Sequence, residues 1–241
     1  GRVRFFLQHG EEGHGGVRIA LDEGVLDEAD GGEAVSWAFA IHQSPSIPSG
    51  MVATKGGPIM ASADEMFVTV RGRGGHASMP HHGNDPIPVA CEIVQALQTW
   101  VTRRVDAFTP AVVTVARIRA GTTTNVIPET ARLDGTIRTV DRRVREEAHA
   151  AVRRIAEHVA AAHDMAAEVE IADGYPVTVN DAGAADDVLG TARWLVGDDL
   201  ALAMPAPVMG AEDFSYVTEK VPGAMAFLGT TDSGEEVEIN R

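Results

Sequence analysis

Between residues 63 and 173 the apolar pattern changes period in a fixed order, and that order leaves few folds open. "EMFVTVRG" (65–72) alternates apolar and polar residues as a half-buried strand does. After the long loop "GRGGHASMPHHGND", Asp85 stands where a helix cap belongs, with Pro86 at the first helical position. Ile87, Ala90, Val94, Leu97 and Val101 then recur at spacings of three and four, which makes one apolar helix face. "AVVTVARI" and "ARLDGTIRTV" read as two further strands joined by "RAGTTTNVIPET". Asp141 caps a second helix with the stripe Val144, Ala148, Val152, Ile155 and Val159, and "AEVEIA" adds a fourth strand. The order β-α-β-β-α-β is that of the split βαβ, ferredoxin-like sandwich, an α+β unit able to fold by itself.

The flanks, 1–62 and 174–241, share another texture, so 63–173 reads as a domain inserted into a partial α/β domain. Residues 3–8, "VRFFLQ", are expected to form a buried strand, and 16–24 a short helix closed by Gly24. "AVSWAFAI" (34–41) reads as a second strand ending at His42, ahead of the turn-rich "QSPSIPSG". Past the insertion come a helix near 182–196, the loop "VMGAEDFSY" and a strand at "AMAFLG". Open α/β sheets gather reacting groups at the carboxyl ends of their strands. Glu11, Glu12 and His42 are thereby expected at one edge. A strand-like run directly after Gly1 and the polar ending "TTDSGEEVEINR" read as cuts made at both ends of a domain.

Twenty basic against 35 acidic residues give a formal charge of −15, which argues against a surface that collects nucleic acid phosphates. No apolar run approaches the roughly 18 residues that cross a bilayer, and no secretory signal opens the chain. No nucleic acid or membrane partner and a cytoplasmic location are the resulting expectations. Cys91, the single cysteine, excludes an internal disulfide framework and, beside an apolar helix stripe, reads as a small core residue.

Two adjacent acids in "LQHGEEGHGG" repel one another unless something offsets the charge. A divalent cation does so: one carboxylate ligates it while the neighbour takes a proton from the bound water. Carboxylate oxygen and imidazole nitrogen suit zinc-type or manganese-type ions, so Glu12 with His42 forms the beginning of a site. The same "EEG" also reads as an acidic turn before a helix, favoured by the helix dipole. His76, in "GRGGHASMP", is either a solvated loop residue or an imidazole offered to a substrate oxygen. Arg138 is either a surface ion pair or a fork for a substrate carboxylate. Asn125 is either a polar turn before Pro128 or a substrate contact. His149, His158 and His163 read as surface residues of the second helix, and His9, His14, His81 and His82 as loop or structural residues.

The stretches "FLQHGEEGHGG", "AIHQSPSIPSG", "MASADEMFVTVRGRGGHASMPHHGNDP", "GTTTNVIPETARLDGTIRT", "GYPVTVND" and "MGAEDFSY" occur in an order that resembles the M20 family of metallopeptidases. Within it the chain is similar to the amidohydrolase branch of hippurate hydrolases, N-acyl-L-amino acid amidohydrolases and auxin-conjugate hydrolases. The resemblance implies a catalytic α/β domain with an inserted lid that mediates homodimerisation. By position it implies Glu11 as general base, Glu12 and His42 as metal ligands, His76 as the lid histidine that polarises the scissile carbonyl across the dimer, and Asn125 and Arg138 as substrate contacts. It further implies zinc, manganese, cobalt or nickel as cofactor, two ions in the intact protein, and an N-acyl amino acid as substrate. Further ligands that the family carries before and after this segment are missing, and "HGEEG" replaces the usual "PAEEG". The alternative is a noncatalytic fragment or a dimerising, small-molecule-binding module without a complete metal site.

Overall fold

The computed structural model describes residues 2–11, 15–28 and 33–232. The chain divides into two compact units, one made of Gly1–Ala61 with Tyr175–Arg241 and the other of Ser62–Gly174.

The discontinuous unit begins with α1 (Gly16–Asp22). Gly15 precedes it with φ 63°, and a Cβ on Gly16 would lie 1.5 Å from the His9 carbonyl oxygen. Paired glycines therefore let the helix start hard against the segment that carries Glu11. Three strands follow, β1 (Ala38–Pro48), β2 (Val52–Thr54) and β3 (Gly57–Met60). The strand expected over 3–8 does not form. Residues 2–10 have no regular secondary structure, and Phe5 and Leu7 are 88% and 87% exposed. An apolar run becomes a buried strand only where a sheet edge receives it, and no described strand pairs with this one. β1 also differs from its expected bounds. It starts four residues later and runs through His42 to Pro48, so His42 sits within the strand instead of at its end.

The inserted unit contains β4 (Asp64–Arg71), β5 (Gly75–His76), α2 (Pro86–Arg104), β6 (Ala111–Ala120), β7 (Val126–Ile127), β8 (Thr130–Thr139), α3 (Arg142–Ala162) and β9 (Ala166–Ala172). Its main sheet has the order β6-β8-β4-β9 and is antiparallel throughout, while β5 and β7 form a separate two-stranded ribbon. Asp85 caps α2 by accepting from the Ile87 N–H at 3.0 Å, and Asp141 caps α3 by accepting from the Val144 N–H at 3.0 Å. One core joins Met66, Val68 and Val70 of β4, Leu133 and Ile137 of β8, Ile93 and Leu97 of α2, and Ala148 and Val152 of α3. On α2 the buried face is Val89, Ala90, Ile93 and Leu97; Ile87 of the expected stripe is 38% exposed. Cys91 is likewise exposed, contrary to the core role expected of it. One residue beyond Ala90 is a 100° rotation, which carries its thiol off the buried face.

The chain then returns to the first unit with β10 (Thr178–Asn180), α4 (Ala182–Val196), β11 (Ala201–Ala203), α5 (Ser215–Thr218) and β12 (Gly223–Thr231). The main sheet here has the order β1-β12-β2-β11; β1 and β12 run parallel, β12 and β2 antiparallel, and β2 and β11 parallel. β10 pairs with β3. Asn180 fastens β12 in place: its Nδ2 donates to the carbonyls of Met225 and Lys55 at 2.9 Å, and its Oδ1 accepts from the Met225 N–H at 2.8 Å. Phe227, two residues along β12, is the register partner of His42.

Candidate active site

In the discontinuous unit the site is built on β1 and on the turn before α5. His42 lies beside Phe227, with ring centroids 6.2 Å apart in an edge arrangement. Its Nδ1 sits 2.6 Å from the Gln43 carbonyl oxygen, which can only accept, so Nδ1 carries the proton. With that proton on Nδ1, the neutral tautomer of the ring is the one that presents its lone pair at Nε2, the form in which histidine ligates a metal. Glu212 Oε2 lies 4.0 Å from that nitrogen.

Glu212 and Asp213 were not singled out from the sequence, and both are buried, at 3% and 0% exposure. Gln8 Nε2 donates to Glu212 Oε1 at 2.8 Å and also to Asp213 Oδ1, while the Val17 N–H donates to Asp213 Oδ2 at 3.1 Å. Burial pushes the Asp213 carboxyl above its usual range, and the neighbouring Glu212 charge adds to this against the opposing hydrogen bonds from Val17 and Gln8. The signal for this pair was present in "GAEDFSY": two acids side by side, the same feature that drew attention to "HGEEG".

Glu11 is half-buried, and its carbonyl accepts a hydrogen bond from the Tyr175 hydroxyl, whose ring meets Tyr216 edge-on at 6.1 Å. Glu12 and His14 lie outside the described residues.

In the inserted unit the structure brings His76 and Asn125 together and keeps Arg138 apart. His76 on β5 is the register partner of Val126 on β7, and the Ala77 N–H donates to the Asn125 carbonyl at 3.0 Å. The Ser78 backbone N–H donates to His76 Nδ1 at 3.2 Å, with Ser78 Oγ at 2.7 Å from the same atom. A backbone N–H can only donate, so the neutral His76 ring keeps its proton on Nε2 as an outward donor. Asn125 Oδ1 accepts from Thr123 Oγ1 at 3.1 Å. Arg138 is half-buried near the far end of β8, opposite Val112, whereas the β5–β7 ribbon adjoins the Thr130 end, where the Gly72 N–H donates to the Glu129 carbonyl. Eight residues of strand separate Thr130 from Arg138, about 27 Å at about 3.4 Å per residue.

A second cluster lies at the Arg138 end. Asp64, His149 and Asp173 each offer a ligand atom, all within 4.8 Å of one another, a spacing that suits a cation. Asp64 is already engaged: Arg145 Nη2 and Nε donate to its two oxygens at 2.5 and 2.8 Å, His149 Nε2 sits at 2.8 Å, and the Gly174 N–H donates at 3.0 Å. Burial alone would raise the Asp64 carboxyl, but the hydrogen bonds from His149, Arg145 and Gly174 and the Arg145 charge outweigh it and hold the pKa at about 2. With a guanidinium against both oxygens, this group is an ion network first. His149 is part of it and not the surface histidine expected; His158 is exposed, and His163 pairs with Glu92 at 2.7 Å.

Residues 62–164 match the family model described as a peptidase dimerisation domain of the M20 type. The chain is 37% identical over 233 residues to thermostable carboxypeptidase 2 of Saccharolobus solfataricus, covering 95% of this chain and 57% of that protein. It is 37% identical over 235 residues to N-acetylcysteine deacetylase of Bacillus subtilis, covering 98% of this chain and 60% of that protein. Among solved structures, the Bacillus subtilis YXEP protein, described as a dinuclear metal-binding peptidase from the M20 family, superposes with a TM-score of 0.76 at 32% identity, covering 95% of this chain and 56% of that one. The chain thus spans somewhat more than half the length of the relatives it matches. The inserted fold and these matches agree: residues 62–164 match the M20-type peptidase dimerisation domain, and over nearly its whole length the chain is similar to members of the M20 peptidase family.

Proposed function

We propose that the chain carries cation-holding and substrate-facing residues of a homodimeric amidohydrolase that cleaves the amide bond of N-acyl amino acids. The observation that carries this reading is His42, whose Nδ1 is spent on a backbone carbonyl so that Nε2 is left as a ligand beside a buried carboxylate. Relatives named as deacetylases of N-acetylcysteine and N-acetyldiaminopimelate support the substrate class.

Glu12 and His42 would hold a divalent ion, with zinc, manganese, cobalt and nickel all suited to an imidazole and carboxylate set. Two ions are proposed, in line with the dinuclear relative. When bound, such an ion lowers the pKa of water and polarises a carbonyl. Glu11, next in the chain, is proposed to accept the water's proton and return it to the departing amine. His76, with its proton on Nε2, is suited to donate to the carbonyl oxygen as negative charge develops there. Arg138 is proposed to fork onto the substrate carboxylate, and Asn125 to contact the substrate beside His76. The stretch of β8 between Thr130 and Arg138, about 27 Å, is far longer than an acyl amino acid. A single substrate can therefore meet His76 and Arg138 only if they come from different copies, which supports a homodimer through the inserted unit.

The test is release of free amino acid from N-acetyl amino acids after metal loading, for the unaltered protein and for Glu11→Gln. Turnover is expected to fall at least 100-fold in the variant while zinc binding stays unchanged. Near-normal turnover in Glu11→Gln would remove Glu11 from the role of base. Absence of both zinc uptake and turnover in the unaltered protein would leave a noncatalytic dimerising module.

A further inference from the structure

The carboxylates of Glu212 and Asp213 are the least explained charges in the discontinuous unit. Both are buried, and their described partners are one another, a neutral amide, a backbone N–H and the rim imidazole of His42, with no described lysine or arginine in salt-bridge range. Buried acids without a cationic partner are costly. Gln8 takes up one oxygen of each, and Val17 takes up the second oxygen of Asp213. That leaves Glu212 Oε2, and it faces the open Nε2 of His42 across 4.0 Å.

The gap itself is informative. It exceeds the roughly 2.7–3.2 Å of a hydrogen bond, and in the neutral ring, whose proton Nδ1 directs to the Gln43 carbonyl, the Nε2 lone pair and the carboxylate are two donors aimed at one point. Nitrogen and oxygen donors at about 2.0–2.2 Å from one tetrahedral ion lie roughly 3.4 Å apart. Closing the observed gap takes a shift of about 0.6 Å, within reach of a glutamate rotamer adjustment. Direct repulsion would be relieved in the same step, because one ion satisfies both groups.

We propose that Glu212 is a ligand of the cation held by His42, adding a carboxylate from the "GAEDFSY" turn to the Glu12 and His42 pair. Gln8 and Asp213 then act as positioning residues: the Gln8 amide bridges the two acids and fixes which Glu212 oxygen faces the imidazole. The proposal rests on the reading that His42 ligates a cation.

The experiment is zinc titration, read by competition with a chromophoric chelator, on the unaltered protein, His42→Ala and Glu212→Gln, with circular dichroism to check each fold. Glutamine keeps the size of the side chain and the acceptor for Gln8. If Glu212 is a ligand, Glu212→Gln weakens zinc binding by at least tenfold and His42→Ala weakens it at least as much. If His42→Ala weakens binding and a folded Glu212→Gln does not, this inference fails while the underlying reading survives. If neither variant weakens it, the reading of His42 fails as well. Should Glu212→Gln not fold, the zinc complex of the unaltered protein decides: a Zn–Oε2 distance of about 2.0–2.2 Å supports the proposal, and one beyond about 3.5 Å overturns it.

Discussion

Replacing Asp64 by asparagine tests whether the buried network of the inserted unit is an electrostatic keystone. Asp64 opens β4, its two oxygens receive Arg145 and His149 from α3 and the Gly174 N–H beyond β9, and its side chain is fully buried. Its carboxyl falls from 3.8 to about 2 on folding. At about 1.4 kcal/mol per pH unit, that preference for the ionised form corresponds to roughly 2 kcal/mol of folded-state stability. Removing the charge outright also strands the guanidinium of Arg145, and breaking a buried pair typically costs about 3–5 kcal/mol. The larger figure is the relevant one at neutral pH. The folded pKa is the depressed one, so this contribution is fully present above pH 4 and is lost as pH falls from about 4 towards 2. Hydrogen exchange of the β4 and α3 amides reads the inserted unit separately from the rest of the chain. Protection in Asp64→Asn is expected to be at least about 100-fold lower at pH 7, with the difference from the unaltered protein shrinking below pH 4. A variant within about 1 kcal/mol of the unaltered protein, or a difference that does not change with pH, would refute the reasoning.

The distance along β8 makes a second expectation. His76→Ala and Arg138→Ala should each reduce hydrolysis more than 100-fold as homodimers. Mixed after reversible dissociation, the two variants should recover up to about a quarter of the unaltered activity, since heterodimers contain one site with both residues intact. No recovery in confirmed heterodimers would mean that both residues serve the same copy's site, or that one of them serves none.

Much of the inserted unit was legible because its signals are local. The caps at Asp85 and Asp141 and the period-two runs of β4, β6, β8 and β9 depend on residues close in sequence, and all of them form. The discontinuous unit was harder to read. "VRFFLQ" has strand composition, but pairing is decided by a partner strand far away in the chain, and none of the described strands takes it. His42 is a candidate from sequence, yet its depth within the eleven-residue β1 follows from pairing with β12, some 180 positions later. Glu212 and Asp213 come beside Gln8 across about 200 residues, so spacing could not reveal the contact, even though the acid doublet itself was visible. His149 illustrates the converse: its helical position suggested solvent, and a buried acid from another strand drew it in.

A cation located by anomalous scattering in crystals grown with zinc or manganese bears on all of this at once. The expected peak lies about 2.0–2.2 Å from His42 Nε2 with a carboxylate oxygen of Glu12 in its coordination sphere. A peak held by Asp64, His149 and Asp173 instead, with His42 left bare, would contradict the assignment of the catalytic metal to the sheet that carries His42.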